Sequence, residues 1–375
     1  MEGDFIKIND WLLPLSWIYG AGVRLRNQMF EMGMLKSRSF DIPVISVGNI
    51  TVGGSGKTPH VEYLINLLRD KVKVAVLSRG YKRKSKGYML ATADTPMSDI
   101  GDEPYQMKKK FADIYVAVDK DRCHGIDQLT ANEETSDTDV ILLDDAYQHR
   151  YVKPGVNILL VDYHRLIMYD KLLPAGRLRE PQKGKARADI VIVSKCPAEL
   201  KPMEFRVITK AMNLFPYQKL YFTTLKYGSL RPIYGGEDRK LDTLTGDTSI
   251  LLLTGIASPQ QMIVDLKPYT ERITPLTFPD HHQYTDADID RINAEFEAMK
   301  GNDKMIVTTE KDNARLCGME GLSDEVKKNI YVLPVEVGFM LDQEEDFNEN
   351  IIGYVRKNSR NSILAKAKDD NKSRN

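Results

Sequence analysis

Val47-Gly48-Asn49-Ile50-Thr51-Val52-Gly53-Gly54-Ser55-Gly56-Lys57-Thr58-Pro59 is the stretch that decides the fold. It leaves a β-branched run, Val44–Val47, crosses a glycine-rich turn and enters a segment whose apolar residues Val61, Leu64, Ile65 and Leu68 recur at helical spacing. A strand, a glycine-rich turn and Gly-Lys-Thr opening a helix form a phosphate-binding loop. The turn from Thr51 through Val52, Gly53, Gly54, Ser55 and Gly56 offers backbone N–H groups to an anion, and its glycines let the backbone approach closely. Lys57 is placed to bridge terminal phosphates, and the Thr58 hydroxyl to ligate Mg²⁺. Pro59 falls in the first helical turn, where its missing N–H costs little. The first glycine of the usual pattern is replaced by Thr51.

Outward from this loop, short apolar runs alternate with helical patterns. Strands are expected at Val44–Val47, Val74–Leu77, Tyr115–Val118, Val140–Leu143, Asn157–Val161 and Ile190–Val193. Continuous apolar strands are buried on both faces, so the expected fold is α/β: a phosphate-loop, doubly wound, mostly parallel sheet. The run Val140–Leu143 ends in Asp144-Asp145, an acid pair at a strand terminus suited to hold Mg²⁺. The guanine-reading motif after a late strand is absent: Ser194-Lys195-Cys196-Pro197 carries proline where its acid would stand. ATP is therefore the expected nucleotide.

Residues 36–215 are read as this kinase domain. Leu220–Tyr227 and Leu230–Tyr234, separated by Gly228-Ser229, read as a β-ribbon linker over 216–240. A second, smaller α/β domain follows over 241–355, with strands at Ile250–Leu253, Arg272–Thr277, Met305–Thr308 and Tyr331–Pro334. Residues 356–375 read as a basic tail. At the other end, residues 1–35 carry Trp11, Leu15, Ile18, Leu25 and Met29 near one helical face, with Arg24 and Arg26 beside them. An apolar face with aromatic anchors and cationic flanks suits a helix lying in a membrane interface; packing on its own domain is the competing reading.

The 375 residues hold 53 basic and 53 acidic side chains, a formal net charge of zero. That balance excludes a uniformly cationic nucleic-acid binder. It hides a local excess: between Arg69 and Lys86 eight basic residues face the single acid Asp70. Three scattered cysteines form no zinc or disulfide pattern. No run reaches the roughly 18 apolar residues of a transmembrane span. A cytosolic protein, peripheral to a membrane at most, is expected.

Five further motifs occur in order: Leu77-Ser78-Arg79-Gly80-Tyr81, Gly101-Asp102-Glu103-Pro104, Asp144-Asp145-Ala146-Tyr147-Gln148-His149-Arg150, Leu173 to Pro181 through Gly176-Arg177-Leu178-Arg179-Glu180, and Phe278-Pro279-Asp280-His281-His282, with Gly53–Pro59 before them. This ordered set resembles the tetraacyldisaccharide 4′-kinases, the lipid A 4′-kinases, from about Leu13 to about Asp312. Ala146 and Tyr147 stand where that family commonly has glycine and phenylalanine, and Arg177 where it commonly has proline. The resemblance implies transfer of the γ-phosphate of ATP, with Mg²⁺, to the 4′-hydroxyl of an acylated glucosamine disaccharide 1-phosphate, giving lipid IVA in lipid A (lipopolysaccharide) biosynthesis. It implies work at the cytoplasmic face of a Gram-negative inner membrane, by a monotopic contact, and a monomer is expected.

The resemblance also distributes roles. Asp102 becomes the base that accepts the acceptor hydroxyl's proton, although Asp-Glu-Pro at a helix start also reads as a capping motif. His281 is its expected assistant, with His282 the alternative. Arg79, Gln148, His149, Arg177 and Arg179 are candidates for phosphate or substrate oxygens, since guanidinium forks suit phosphate. Glu180 joins Thr58, Asp144 and Asp145 as a candidate for Mg²⁺, directly or through water. Two other functions remain open: a switch or assembly ATPase, which needs no acceptor base, and a kinase of a soluble sugar.

Overall fold

A computed structural model describes residues 6, 8–256, 259–316 and 319–359. The tail beyond 359 and Cys317 lie outside the described residues. The chain divides into two compact units, one of residues up to Leu225 together with those from Val337, the other Lys226–Glu336.

The first unit is built on a nine-stranded sheet. Its order is Val335–Phe339, Lys219–Tyr227, Ile190–Ser194, Val156–Asp162, Val44–Gly48, Val140–Asp144, Val74–Ser78, Tyr115–Val118 and Met89–Leu90. The pairings from Lys219–Tyr227 through Tyr115–Val118 are parallel, and Met89–Leu90 closes the edge antiparallel. Val44–Gly48, Val74–Ser78, Val140–Asp144 and Ile190–Ser194 are buried at every position, as their unbroken apolar sequences require. Helices Lys57–Leu68, Asp102–Lys110 and Glu344–Asn358 cover one face through Leu64, Leu68, Met107, Phe347 and Ile351. Helices Arg122–Ala131 and Pro202–Met212 cover the other through Ile126, Leu129, Phe205 and Ile208. The expected doubly wound α/β architecture is the one observed.

The second unit is a five-stranded sheet in the order Ile273–Thr277, Ser249–Thr254, Lys304–Thr309, Ile330–Leu333 and Arg231–Pro232. The first four strands are parallel and the last is antiparallel. Helix Asp286–Ala298 packs on it through Ile289, Ile292 and Phe296.

Two segments differ from the sequence reading. The expected ribbon over 216–240 divides between the two sheets. Lys219–Tyr227 pairs with Ile190–Ser194, whereas Arg231–Pro232 pairs with Ile330–Leu333. The Gly228 N–H bonds to Pro334 O rather than closing a hairpin. Residues from Val337 through helix Glu344–Asn358, expected in the second domain, belong to the first unit: Phe347, Ile351 and Val355 are buried in its core.

The N-terminal helix Leu13–Glu31 belongs to the first unit as well. It docks through small and polar positions. The Ser16 hydroxyl donates to Leu172 O at 3.0 Å and accepts from the Ala175 N–H at 2.9 Å. A Cβ on Gly20 would stand 2.6 Å from Leu172 Cδ1, so the helix approaches closely here and any larger residue would have to push the leucine tip aside. Trp11, Leu15, Trp17, Ile18 and Leu25 stay exposed, which leaves the apolar face without a cover among the described residues.

Candidate active site

Parallel register places the site. Val47, last but one in its strand, pairs with Asp144, the last of its own. The phosphate-loop turn and the acid pair therefore emerge side by side at the carboxyl edge, where α/β sheets bind ligands. The loop then reaches helix Lys57–Leu68 through Gly56, whose left-handed φ of 76° suits glycine. Thr51, in place of the usual first glycine, is buried and bridges to Leu178, and the Val52 N–H bonds to Arg177 O at 2.8 Å. A threonine fits there because the position is extended and paired, as a strand edge is.

Lys57 Nζ lies 3.6 Å from Asp145 Oδ1, and Arg179 Nη1 lies 3.7 Å from Asp145 Oδ2. Arg179 also donates to the Gln148 side-chain oxygen at 3.3 Å. Asp144 is fully buried; its Oδ2 accepts from the Ser78 hydroxyl at 3.1 Å, and its Oδ1 has no hydrogen-bond partner among the described residues. Burial, then the charges of Glu103 and Asp145, hold this carboxyl well above the ordinary carboxylate range, against the pull of Lys57 and Ser78. An orphaned carboxylate oxygen beside a second carboxylate and the Thr58 position is a donor set that a hard cation completes. Among the described residues no three His, Cys, Asp or Glu side chains form a ready-made metal cage; Mg²⁺ ordinarily takes one or two carboxylates and fills its sphere with water and phosphate.

The other candidates are distributed as follows. Asp102 is the first residue of helix Asp102–Lys110, buried, with Oδ1 accepting the Glu103 N–H at 3.0 Å; Gly101 occupies the cap. Glu180 is buried and its Oε2 is bound to Arg187 at 2.8 Å, while Oε1 has no partner among the described residues. Arg79 is exposed, and Arg177 holds the loop through its backbone. His149 is half-buried; burial first and the Arg122 charge next push its imidazole down to about 4, so it is neutral near pH 7. In the second unit, His281 has a left-handed φ of 60° and its Nε2 lies 3.7 Å from Asp280 Oδ2. His282 bonds Asp288 at 2.9 Å and stacks on Phe278, a structural engagement at the start of helix Asp286–Ala298.

The profile of the tetraacyldisaccharide-1-P 4′-kinase family matches residues 8–356. The chain belongs to that family. A tetraacyldisaccharide 4′-kinase of Phocaeicola vulgatus is 61% identical over 363 residues, covering 96% of this chain and 99% of the relative. One from Bacteroides fragilis is 54% identical over 377 residues, covering 100% of both. Among solved structures, the "apo" form of LpxK from Aquifex aeolicus in complex with ATP has a TM-score of 0.70 at 32% identity, covering 92% of this chain and 98% of that one.

As a 4′-kinase the chain carries further groups at the site that its motifs did not single out. Arg122 is buried; it donates to Asp119 O at 3.0 Å and Asp144 O at 3.3 Å, and burial pushes its guanidinium down to about 10 against the pull of Asp144 and Asp145. Nothing in its local sequence separates it from a surface arginine. Glu103 stands in the sequence only as part of the Asp102 motif, yet its charge is felt at Asp144. Tyr147, where the 4′-kinases commonly have phenylalanine, is buried and donates its hydroxyl to Gly184 O at 2.7 Å. The substitution thus adds one internal hydrogen bond and removes no candidate ligand.

Proposed function

We propose that this chain transfers the γ-phosphate of ATP to the 4′-hydroxyl of an acylated glucosamine disaccharide 1-phosphate, in lipid A biosynthesis, while resting on a membrane surface. The convergence of Lys57, Asp144 and Asp145 beside the Thr51–Thr58 turn carries the nucleotide half of this reading. The turn's N–H groups and Lys57 bind the phosphates, and Arg179, tethered through Asp145 and Gln148, stands ready for oxygens that gain charge during transfer. Asp144, Asp145 and Thr58 would hold Mg²⁺, which when bound neutralises phosphate charge. Asp102 takes the proton of the attacking hydroxyl, and His281, in the second unit, is kept as a second proposed catalytic residue.

The N-terminal helix supports the membrane half. A helix that docks by Ser16 and Gly20 and leaves Trp11 93%, Trp17 70% and Ile18 71% exposed has its apolar side available to acyl chains and headgroups. No described helix is long and apolar enough to cross a membrane; the contact proposed is an interfacial one. Between this helix and the 170–187 segment lies a cavity of about 700 Å³, lined by Leu13, Trp17, Leu172, Leu178, Arg24 and Lys183 among others. Its charged walls carry the cations Arg24, Lys171, Lys183 and Arg187 against the acids Glu31 and Asp170, and this cationic excess beside apolar side chains suits an acylated sugar phosphate.

The test is direct. Purified protein with Mg-ATP and a detergent-dispersed acylated disaccharide 1-phosphate gives a bis-phosphorylated product by mass spectrometry. Nucleotide binding without phosphate transfer would leave only the switch ATPase reading; transfer to a deacylated sugar at equal efficiency would remove the lipid requirement.

A further inference from the structure

The back of the phosphate loop is tied down one carbonyl at a time. Gly53 O faces Asn49 Nδ2 at 3.5 Å, Gly54 O accepts from the Lys195 ammonium, Ser55 O accepts from the Ser194 hydroxyl at 2.9 Å, and Gly56 O accepts from His60 Nδ1 at 2.7 Å. In a planar trans peptide the C=O and the following N–H point in opposite directions. Holding the carbonyls of Gly53, Ser55 and Gly56 toward the protein therefore turns the N–H groups of Gly54, Gly56 and Lys57 toward the open side of the loop. The Ser55 N–H is bonded inside the turn to Gly53 O at 3.1 Å.

Lys195 differs from the other anchors. Its ammonium is mostly buried and also pairs with Asp162 Oδ2 at 3.0 Å. Because the pair has no net charge, it contributes little long-range attraction for phosphate; what it supplies is the direction of one peptide. Lys195 sits in the left-handed region at φ 59°, a conformation that is unfavourable for a non-glycine residue. It is held there by a bond from the next residue: the Cys196 N–H donates to Thr223 O at 2.9 Å. The same Thr223 faces His60 Nε2 with its hydroxyl at 3.0 Å. Strand Lys219–Tyr227 thus braces two of the four anchors at once.

We propose that Lys195, paired with Asp162, is a positioning residue for ATP: it fixes the Gly54–Ser55 peptide, whose N–H closes the turn on Gly53 O, and so holds the turn in the form that leaves the neighbouring N–H groups of Gly54, Gly56 and Lys57 open to the phosphates. The inference rests on the phosphate-loop reading but not on the identity of the acceptor, so nucleotide binding measured without acceptor separates the two.

The experiment compares the full chain with Lys195→Met, Lys195→Arg and Asp162→Asn. Losing one charge-assisted hydrogen bond corresponds to roughly a tenfold effect or more. Lys195→Met should therefore weaken ATP binding about tenfold, by calorimetry, and raise the KM for ATP by a similar factor, with the acceptor KM unchanged. Lys195→Arg should recover part of the loss, because its guanidinium can still donate to Gly54 O. Asp162→Asn should weaken ATP several-fold by releasing the ammonium. An unchanged ATP affinity in Lys195→Met overturns the proposal. So does a parallel rise in both KM values with a lowered melting temperature and no rescue by arginine, since that pattern is a general loss of structure. Should Lys195→Met fail to fold, Asp162→Asn decides: it keeps the side-chain shape, and an unchanged ATP affinity there overturns the proposal equally.

Discussion

Lys57 Nζ and Asp145 Oδ1 face each other at 3.6 Å across the mouth of the phosphate loop. That separation is long for a charge-assisted hydrogen bond, which closes to about 2.7–2.9 Å. Asp145 thus holds the lysine near its working position without locking it, and does the same for Arg179 at 3.7 Å. Its own left-handed φ of 46° keeps it pointed there. Removing a preset charge partner of this kind costs about 10²–10³ in turnover. Lys57→Met and Asp145→Ala are each expected to lose that much kcat, with Lys57→Met also raising the KM for ATP. The double variant should lose less than the product of the two, because both single changes remove one shared interaction. Strictly multiplicative losses in steady-state kinetics would mean the two act independently.

Asp102 is expected to behave as a group that acts on the acceptor. It is buried at a helix start, and its neighbour Glu103 is felt at Asp144. Asp102→Ala should lower turnover by about 10²–10⁴, the usual contribution of a general base, while ATP affinity changes by no more than a few-fold. An equal fall in ATP affinity would assign Asp102 to nucleotide or metal instead.

What the sequence made legible follows from where information is local. The turn Thr51–Thr58, the acid pair Asp144-Asp145 and the buried parallel strands each sit in an unbroken stretch whose composition dictates its geometry. Leu220–Tyr227 reads as part of a ribbon because Gly228-Ser229 resembles a turn, and a turn signal says nothing of which strand lies opposite. Its partner, Ile190–Ser194, is chosen by burial of Tyr221, Phe222 and Thr223. The anchors of the phosphate loop were illegible for the same reason. Asn49 and His60 are near the loop in sequence, but Lys195, Ser194 and Thr223 reach it only through the order of strands. Arg122 is a helix-start arginine like others until the fold carries it under Asp144. The exposed face of helix Leu13–Glu31 is a case where sequence left two readings, interfacial or packed. The structure docks that helix by Ser16 and Gly20, leaving Trp11, Trp17 and Ile18 outside.

That exposed face leads to a prediction with two readouts. Complete burial of a large apolar side chain is worth about 1.5–3 kcal/mol. Replacing Trp11, Trp17 and Ile18 together by serine should lower partitioning onto anionic vesicles by at least about tenfold, measured by cosedimentation. Folding stability should stay nearly constant, since these side chains contact little of their own protein. A melting temperature that falls sharply with unchanged vesicle binding would mean that the face packs rather than docks on lipid.

His60 supplies a pH signature for the phosphate loop. Its Nδ1 faces the Gly56 carbonyl, which can only accept, so Nδ1 carries the proton and Nε2 accepts from the Thr223 hydroxyl. Complete burial pushes the imidazole down from 6.5 to about 4, with the nearby Lys195 charge acting in the same direction and the Gly56 bond opposing. Between these two values the unfolded chain binds the proton that the folded chain refuses, so stability rises with pH there. The contribution is fully present above about pH 6.5 and is lost as pH falls through about 4, at up to roughly 1.4 kcal/mol per pH unit in between. Urea unfolding from pH 4.5 to 7.5 should therefore show a slope that His60→Asn reduces by close to one proton, because asparagine keeps an amide donor but cannot titrate. Equal slopes in the two proteins would mean that the imidazole protonates normally in the folded state, and the neutral Nδ1–H tautomer at Gly56 would have to be abandoned.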